Sequence, residues 1–201
     1  MPGMRFVLLV LLASSGCASL RPAGRQPGPA ADLLTYKWRQ EILNRAQDGD
    51  WLVIQGYDST NRLVALAGNG ELSHVGVLDA TYGEVIEAVS PAVTIVSLQD
   101  FLKPADRVQL IRPLDVDRAA GRRALARARS QIGAPYDLLG TVGLPEPGEF
   151  YCSELAAWSA GIDVDTDGAG EVLHPANMSK YGTVLFDSAL PADCCGRAES
   201  H

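Results

Sequence analysis

Five short runs of β-type residues crowd into the stretch from Trp51 to Leu114: WLVIQGY, SHVGVLD, GEVIEAV, VTIVS and RVQLIRPL. Turns, a loop over 58–72 with polar and glycine-rich ends, and the short helical segment LQDFL separate them. Helical patterns lie before and after this block. Residues 32–47, DLLTYKWRQEILNRAQ, put Leu33, Leu34, Trp38, Ile42 and Leu43 near one face, with Asp32 as the cap. The stretch Asp115–Gln131 is helical with a solvated face of arginines, and a third helix runs from Cys152 to Ala160. HPANMSKY reads as a short turn or helix, and GTVLFDS as a closing strand. Strands clustered between helices predict an α+β fold with a mostly antiparallel sheet. At 201 residues and 47% apolar composition, the chain supports one well-packed domain, expected over 32–190.

The formal net charge is -7 and the body of the chain carries no basic run, so a nucleic-acid role lacks its electrostatic footprint. The N-terminus instead carries an address. Arg5, the apolar run FVLLVLLA and the small residues SSG precede Cys17. The run is too short to span a bilayer and reads as a secretory signal over 1–16. A cysteine directly after small residues resembles a bacterial lipobox, which makes Cys17 the lipidated first residue of the mature protein. Ser14 departs from the usual leucine of that motif. Residues 17–31 then form a flexible tether, and residues 191–201 a C-terminal tail. The expected location is the bacterial cell envelope, with the domain facing the periplasm from a lipid anchor in the outer membrane.

EFYCSELAAWS places one cysteine between a turn-prone run and an apolar helical pattern. At a helix start, exposed N–H groups and the macrodipole favour the thiolate, so Cys152 is a candidate nucleophile, although a lone cysteine is more often core packing. A thiol nucleophile also needs a base. Of the three histidines, His201 is terminal and His174 precedes a proline in a polar loop, which leaves His74 at the start of SHVGVLD. If SHVGVL and GEVIEA pair antiparallel around DATY with Leu78 opposite Gly83, His74 faces Glu87, an acid inside the apolar strand VIEAV. Such an acid fixes the imidazole tautomer and stabilises the imidazolium.

Taken in order, GDWLVIQG, SHVGVLD, GEVIEAVSPAVTIVSLQDFL, IGAPYDLL and FYCSEL resemble the circularly permuted NlpC-type papain-fold hydrolases, especially the YiiX/YebB-like group. The resemblance spans about residues 48–190. It implies Cys152 as nucleophile, His74 as base and Glu87 as orienting acid, with the histidine strand ahead of the cysteine helix. Tyr136 in GAPYD matches a recurring family position, either lining the site or packing. Tyr151 precedes the nucleophile and could shape the site as a substrate-binding residue, with the Cys152 backbone N–H as the more natural oxyanion donor. HPANM is similar to a late family segment, with Asn177 in place of an acid.

DVDTDG at 163–168 matches the opening of a calcium loop, but His174 stands where a bidentate glutamate belongs, so Asp163, Asp165 and Asp167 read as a solvated acidic turn. Cys194 and Cys195 adjoin in the tail. A bridge between neighbours is strained, so free thiols or a link to another chain are the alternatives. The function expected is an envelope-tethered cysteine hydrolase that cleaves an amide or ester through an acyl-enzyme and needs no cofactor or metal. Its substrates are cell-wall peptides or N-acylated molecules. A thiol-dependent acyltransferase and a non-catalytic envelope binding module are the alternative readings.

Overall fold

The structure, a computed structural model, describes residues 28–56, 72–162 and 172–190. Its elements are α1 (Pro29–Arg45), β1 (Trp51–Gly56), β2 (His74–Asp79), β3 (Glu84–Val89), β4 (Ala92–Ser97), α2 (Leu98–Leu102), β5 (Ala105–Pro113), α3 (Arg118–Ser130), α4 (Cys152–Ala160) and β6 (Gly182–Asp187). Short 3-10 segments occupy Gly140–Val142 and Pro175–Tyr181. The six strands form one sheet in the order β4-β3-β2-β1-β5-β6, and every neighbouring pair is antiparallel. The α+β architecture expected from the sequence is the one observed.

Each face of the sheet carries its own core. On one face Trp51, Val53, Val75, Val77, Ile86 and Ala88 pack with Leu125 and Ala128 of α3 and with Cys152, Leu155 and Ala156 of α4. On the other, Leu52, Ile54, Leu78, Val85, Val108 and Leu110 pack with Trp38 and Ile42 of α1 and with Leu98, Phe101 and Leu102 of α2. Because helices cover both faces, β1 and β2 are apolar almost throughout instead of alternating with polar residues. That is also why a histidine in β2 is a buried histidine.

Two helix boundaries differ from the sequence expectation. α1 begins at Pro29, three residues inside the anticipated tether, with Gly28 rather than Asp32 at its N-cap. Proline suits the first helical turn because its missing N–H has no intrahelical partner there, and Ala30 and Ala31 extend the helix at little cost. α3 begins only at Arg118, because the Asp117 carboxylate accepts the Ala120 N–H and caps it, while Asp115 takes a left-handed φ of 58° that no helix tolerates.

The β2–β3 hairpin is the larger correction. Gly76 lies opposite Glu87, Leu78 opposite Val85 and Asp79 opposite Glu84, so the pairing is displaced by two residues from the one expected. Gly83, at φ +66°, belongs to the turn and not to the strand, since only glycine enters that region freely. Asp79 fastens the turn by accepting Gly83 N–H on its carbonyl and Tyr82 N–H on its carboxylate, both at 2.9 Å. A shift of two keeps every side chain on its face, so His74 and Glu87 still share one face but stand diagonally. Arg129 of α3 clamps this hairpin from the other side, reaching Asp79 at 2.6 Å and Glu84 at 2.7 Å.

Candidate active site

The Cys152 helix starts where the sequence places it, and its first residues are tied down individually. The Glu154 carboxylate takes the Tyr151 backbone N–H at 3.3 Å, satisfying a donor that precedes the helix. Ser153 Oγ donates to Leu173 O at 2.5 Å, and Tyr151 OH accepts the Leu173 N–H at 3.2 Å. The residues on either side of Cys152 are thereby pinned to one segment, 172–175. Cys152 itself is 2% exposed and is packed among Val75, Val77 and the helix residues behind it. A helix N-terminus fixed in this way presents its first N–H groups and its positive dipole end to the thiol.

His74 opens β2 and is 4% exposed. Its Nε2 lies 2.6 Å from Glu87 Oε2, and its ring packs against Phe101 of α2 at 5.6 Å between centroids. Gly76, next along that face, has room for nothing larger: a Cβ there would sit 2.3 Å from Val85 Cγ1 and 3.1 Å from the Phe101 ring. Phe101 is therefore held tightly, and the imidazole with it. With Nε2–H donated to the carboxylate, Nδ1 is the nitrogen left with a lone pair, and it is buried without a well-formed hydrogen bond. The Cys152 thiol lies near enough for the thiol and the ring to influence each other's charge.

The electrostatics follow from that geometry. Burial pulls the His74 pKa down, but the hydrogen bonds and charges of Cys152 and Glu87 outweigh it and raise it to about 10. Burial pushes the Cys152 thiol up, but the imidazole, the Val75 backbone N–H and Ser153 bring it below the ordinary thiol value. One partner rising while the other falls is the pattern of a thiolate–imidazolium pair.

The sequence-derived residues are thus distributed as follows. Cys152, His74 and Glu87 converge on the start of β2. Tyr136 is half-buried against the Cys152 cluster, and burial, followed by the Cys152 charge, raises its pKa, so its hydroxyl keeps its proton. Tyr151 is buried, its hydroxyl accepts the Leu173 N–H, and it lines a neighbouring cavity. His174 Nδ1 accepts the Ala176 N–H and caps the Pro175–Tyr181 turn, as a structural residue would. Cys17, Cys194, Cys195, Asp163, Asp165 and Asp167 lie outside the described residues. Among the described residues, no group of three or more His, Cys, Asp or Glu side chains could hold a metal ion.

Two contributors escaped the sequence reading. Phe101 reaches His74 only through the packing of α2 across the sheet, which no local pattern reveals. Asp137 is fully buried, and its carboxylate accepts the Gly140 and Glu146 N–H groups at 2.5 and 3.0 Å. It fixes the loop between Tyr136 and Phe150, whose backbones form a bridge just before the Cys152 helix. An aspartate three residues before a glycine was a legible turn signal, but not its burial.

A family model described as permuted papain-like amidase enzyme, YaeF/YiiX, C92 family, matches residues 45–193. Among solved structures, the crystal structure of metalloprotein yiiX from Escherichia coli O157:H7 is similar at 20% identity, with a TM-score of 0.48 over 64% of this chain and 69% of that one. No curated protein matches the chain.

Proposed function

Because the chain belongs to the permuted papain-like amidases of the YaeF/YiiX, C92 family, we propose that it is a cysteine amidase of the permuted NlpC type, with Cys152 as nucleophile, His74 as general base and acid, and Glu87 as orienting acid. The observation that carries the assignment is the histidine held between the two other groups, with Nε2 on Glu87 at 2.6 Å and the thiol coupled to the rest of the ring. In this reading, the thiolate attacks the amide carbonyl, and the first N–H groups of the Cys152 helix receive the developing oxyanion. The imidazolium gives its proton to the departing amine, leaving an acyl-enzyme on Cys152. His74, now neutral, takes a proton from water as it attacks the thioester, and the acid is released with the thiol restored. In this reading Tyr136, which packs against the Cys152 cluster and keeps its proton, helps to position the carbonyl. An amine that outcompetes water at the thioester would make the same site an acyltransferase.

The test is a mass measurement on acid-quenched protein, intact and after proteolysis, following incubation with envelope extract, for wild type and Cys152→Ala. The expected result is an acyl-sized mass increase on the peptide containing Cys152, absent from the variant. Amide cleavage that continues undiminished in Cys152→Ala would overturn the assignment.

We also propose that the substrate lies in the cell envelope, where Cys17 anchors the protein through attached acyl chains. About 0.8 kcal/mol accrues per buried methylene, so several chains on one cysteine hold firmly. Cys17→Ser is expected to move the protein from the membrane to the soluble fraction. Cleavage at another position with no attached lipid would contradict it.

A further inference from the structure

We propose that residues 138–144 form a lipid-docking loop, which seats the His74 end of the domain on the surface of a bilayer. This rests on the envelope anchoring proposed above, and not on the identity of the nucleophile. The stretch LLGTVGL carries no charge. Leu138, Leu139, Val142 and Leu144 are between 47% and 67% exposed. Four large aliphatic side chains within seven residues form a patch of the kind that marks a protein or membrane contact.

The hydrogen bonding of the loop favours lipid. The buried Asp137 carboxylate closes its base by accepting the Gly140 and Glu146 N–H groups. Leu139 O accepts the Val142 and Leu144 N–H groups at 3.0 and 3.1 Å, and Gly140 O accepts the Gly143 N–H at 3.0 Å. Thr141 Oγ1 donates to Leu138 O at 2.6 Å. These donors carry their acceptors with them, so the loop can leave water without stranding them. Acyl chains demand that, because they offer no acceptor. A protein partner supplies its own, and its strongest contacts favour aromatic and arginine side chains over Leu and Val.

The position of the loop agrees with the anchor. Tyr136 N–H, at the start of the loop, donates to Pro91 O at 3.0 Å, in the turn between β3 and β4. That turn lies at the His74 end of the β2–β3 pairing. α1 begins at the same end. Asp32, in its first turn, is close enough to Lys103 for their charges to interact. Lys103 leads into β5, whose Ala105 pairs with Gly56, two residues beyond the Ile54–His74 pair. Pro29 follows Cys17 by twelve residues, a span of at most about 40 Å. An anchor at Cys17 therefore pulls on the end of the domain that bears the loop, and the Tyr82 turn lies at the other end of the hairpin.

The test uses the full-length protein with phosphatidylcholine vesicles, made with or without bromine on the acyl chains, and reads tryptophan fluorescence. Val142→Trp puts a reporter in the loop, and Tyr82→Trp puts one in the exposed β2–β3 turn. Wild type supplies the signal of Trp38, Trp51 and Trp158 for subtraction. A docked apolar segment sits about 5–10 Å into the headgroup and acyl boundary, so bromine should quench Val142→Trp at least about threefold more than Tyr82→Trp. Adding Leu138→Asp and Leu144→Asp to Val142→Trp should bring the two reporters level. Equal quenching of the two reporters in vesicle-bound protein would overturn the proposal and leave the anchor standing, as would quenching that survives the added aspartates. Protein that fails to sediment with the vesicles would overturn both.

Discussion

Glu87→Ala is expected to lower amide turnover by about 10²- to 10⁴-fold with the fold retained, while Glu84→Gln stays within about twofold of wild type. The two acids stand three residues apart on one strand but on opposite faces. Glu87 is bonded to the His74 imidazole at 2.6 Å, whereas Glu84 pairs with Arg129 on the α3 side. Removing Glu87 frees Nε2 to choose either tautomer and withdraws the charge that favours the imidazolium. Glu87→Gln should be the milder change, since its amide oxygen still accepts from Nε2–H. Because Glu87 helps to raise the His74 pKa, Glu87→Gln should also shift the alkaline limb of kcat/KM to lower pH. A merely structural acid would lower the rate without moving that limb. Circular dichroism checks the fold, and turnover across pH checks the role.

The second large effect is on the thiol. In wild type, the depressed Cys152 pKa keeps the thiolate present as pH falls below the free-thiol value of about 8.5. The raised His74 pKa keeps the imidazolium until pH approaches about 10. The reactive pair therefore persists between those limits and is lost at low pH by protonation of the thiolate, at high pH by deprotonation of the ring. His74→Ala removes the imidazolium but leaves the burial that pushes the thiol upward. At pH 6, Cys152 alkylation should then slow by about 10- to 100-fold. That is less than the change in thiolate fraction alone, because a more basic thiolate is intrinsically more nucleophilic.

Much of this site is legible in the sequence. The start of the Cys152 helix, the histidine at the head of a strand and the acid inside VIEAV each break a local pattern in a way that asks for a reason. What the residues could not settle was the register between His74 and Glu87. DATYGE closes as a four-residue turn in two ways, with Gly83 either in the strand or in the turn. The choice rests on the left-handed backbone that Gly83 supplies and on the Asp79 side chain that holds the turn. Both registers put His74 and Glu87 on one face, so the contact between the two side chains survived an error in the pairing of residues. The two-layer core was less visible. Strands β1 and β2 are apolar on both faces, so their sequences do not say which face meets α4. Phe101 and Asp137, which act through tertiary packing, were hidden for the same reason.

The central claim is that His74 activates Cys152, and the pH dependence of Cys152 alkylation by iodoacetamide tests it most directly, read by mass spectrometry for wild type and His74→Ala. The wild-type rate is expected to hold up well below pH 8.5, with His74→Ala showing a single titration at or above the free-thiol value. Superimposable profiles for the two proteins, both titrating as a free thiol, would contradict the account and return Cys152 to the core.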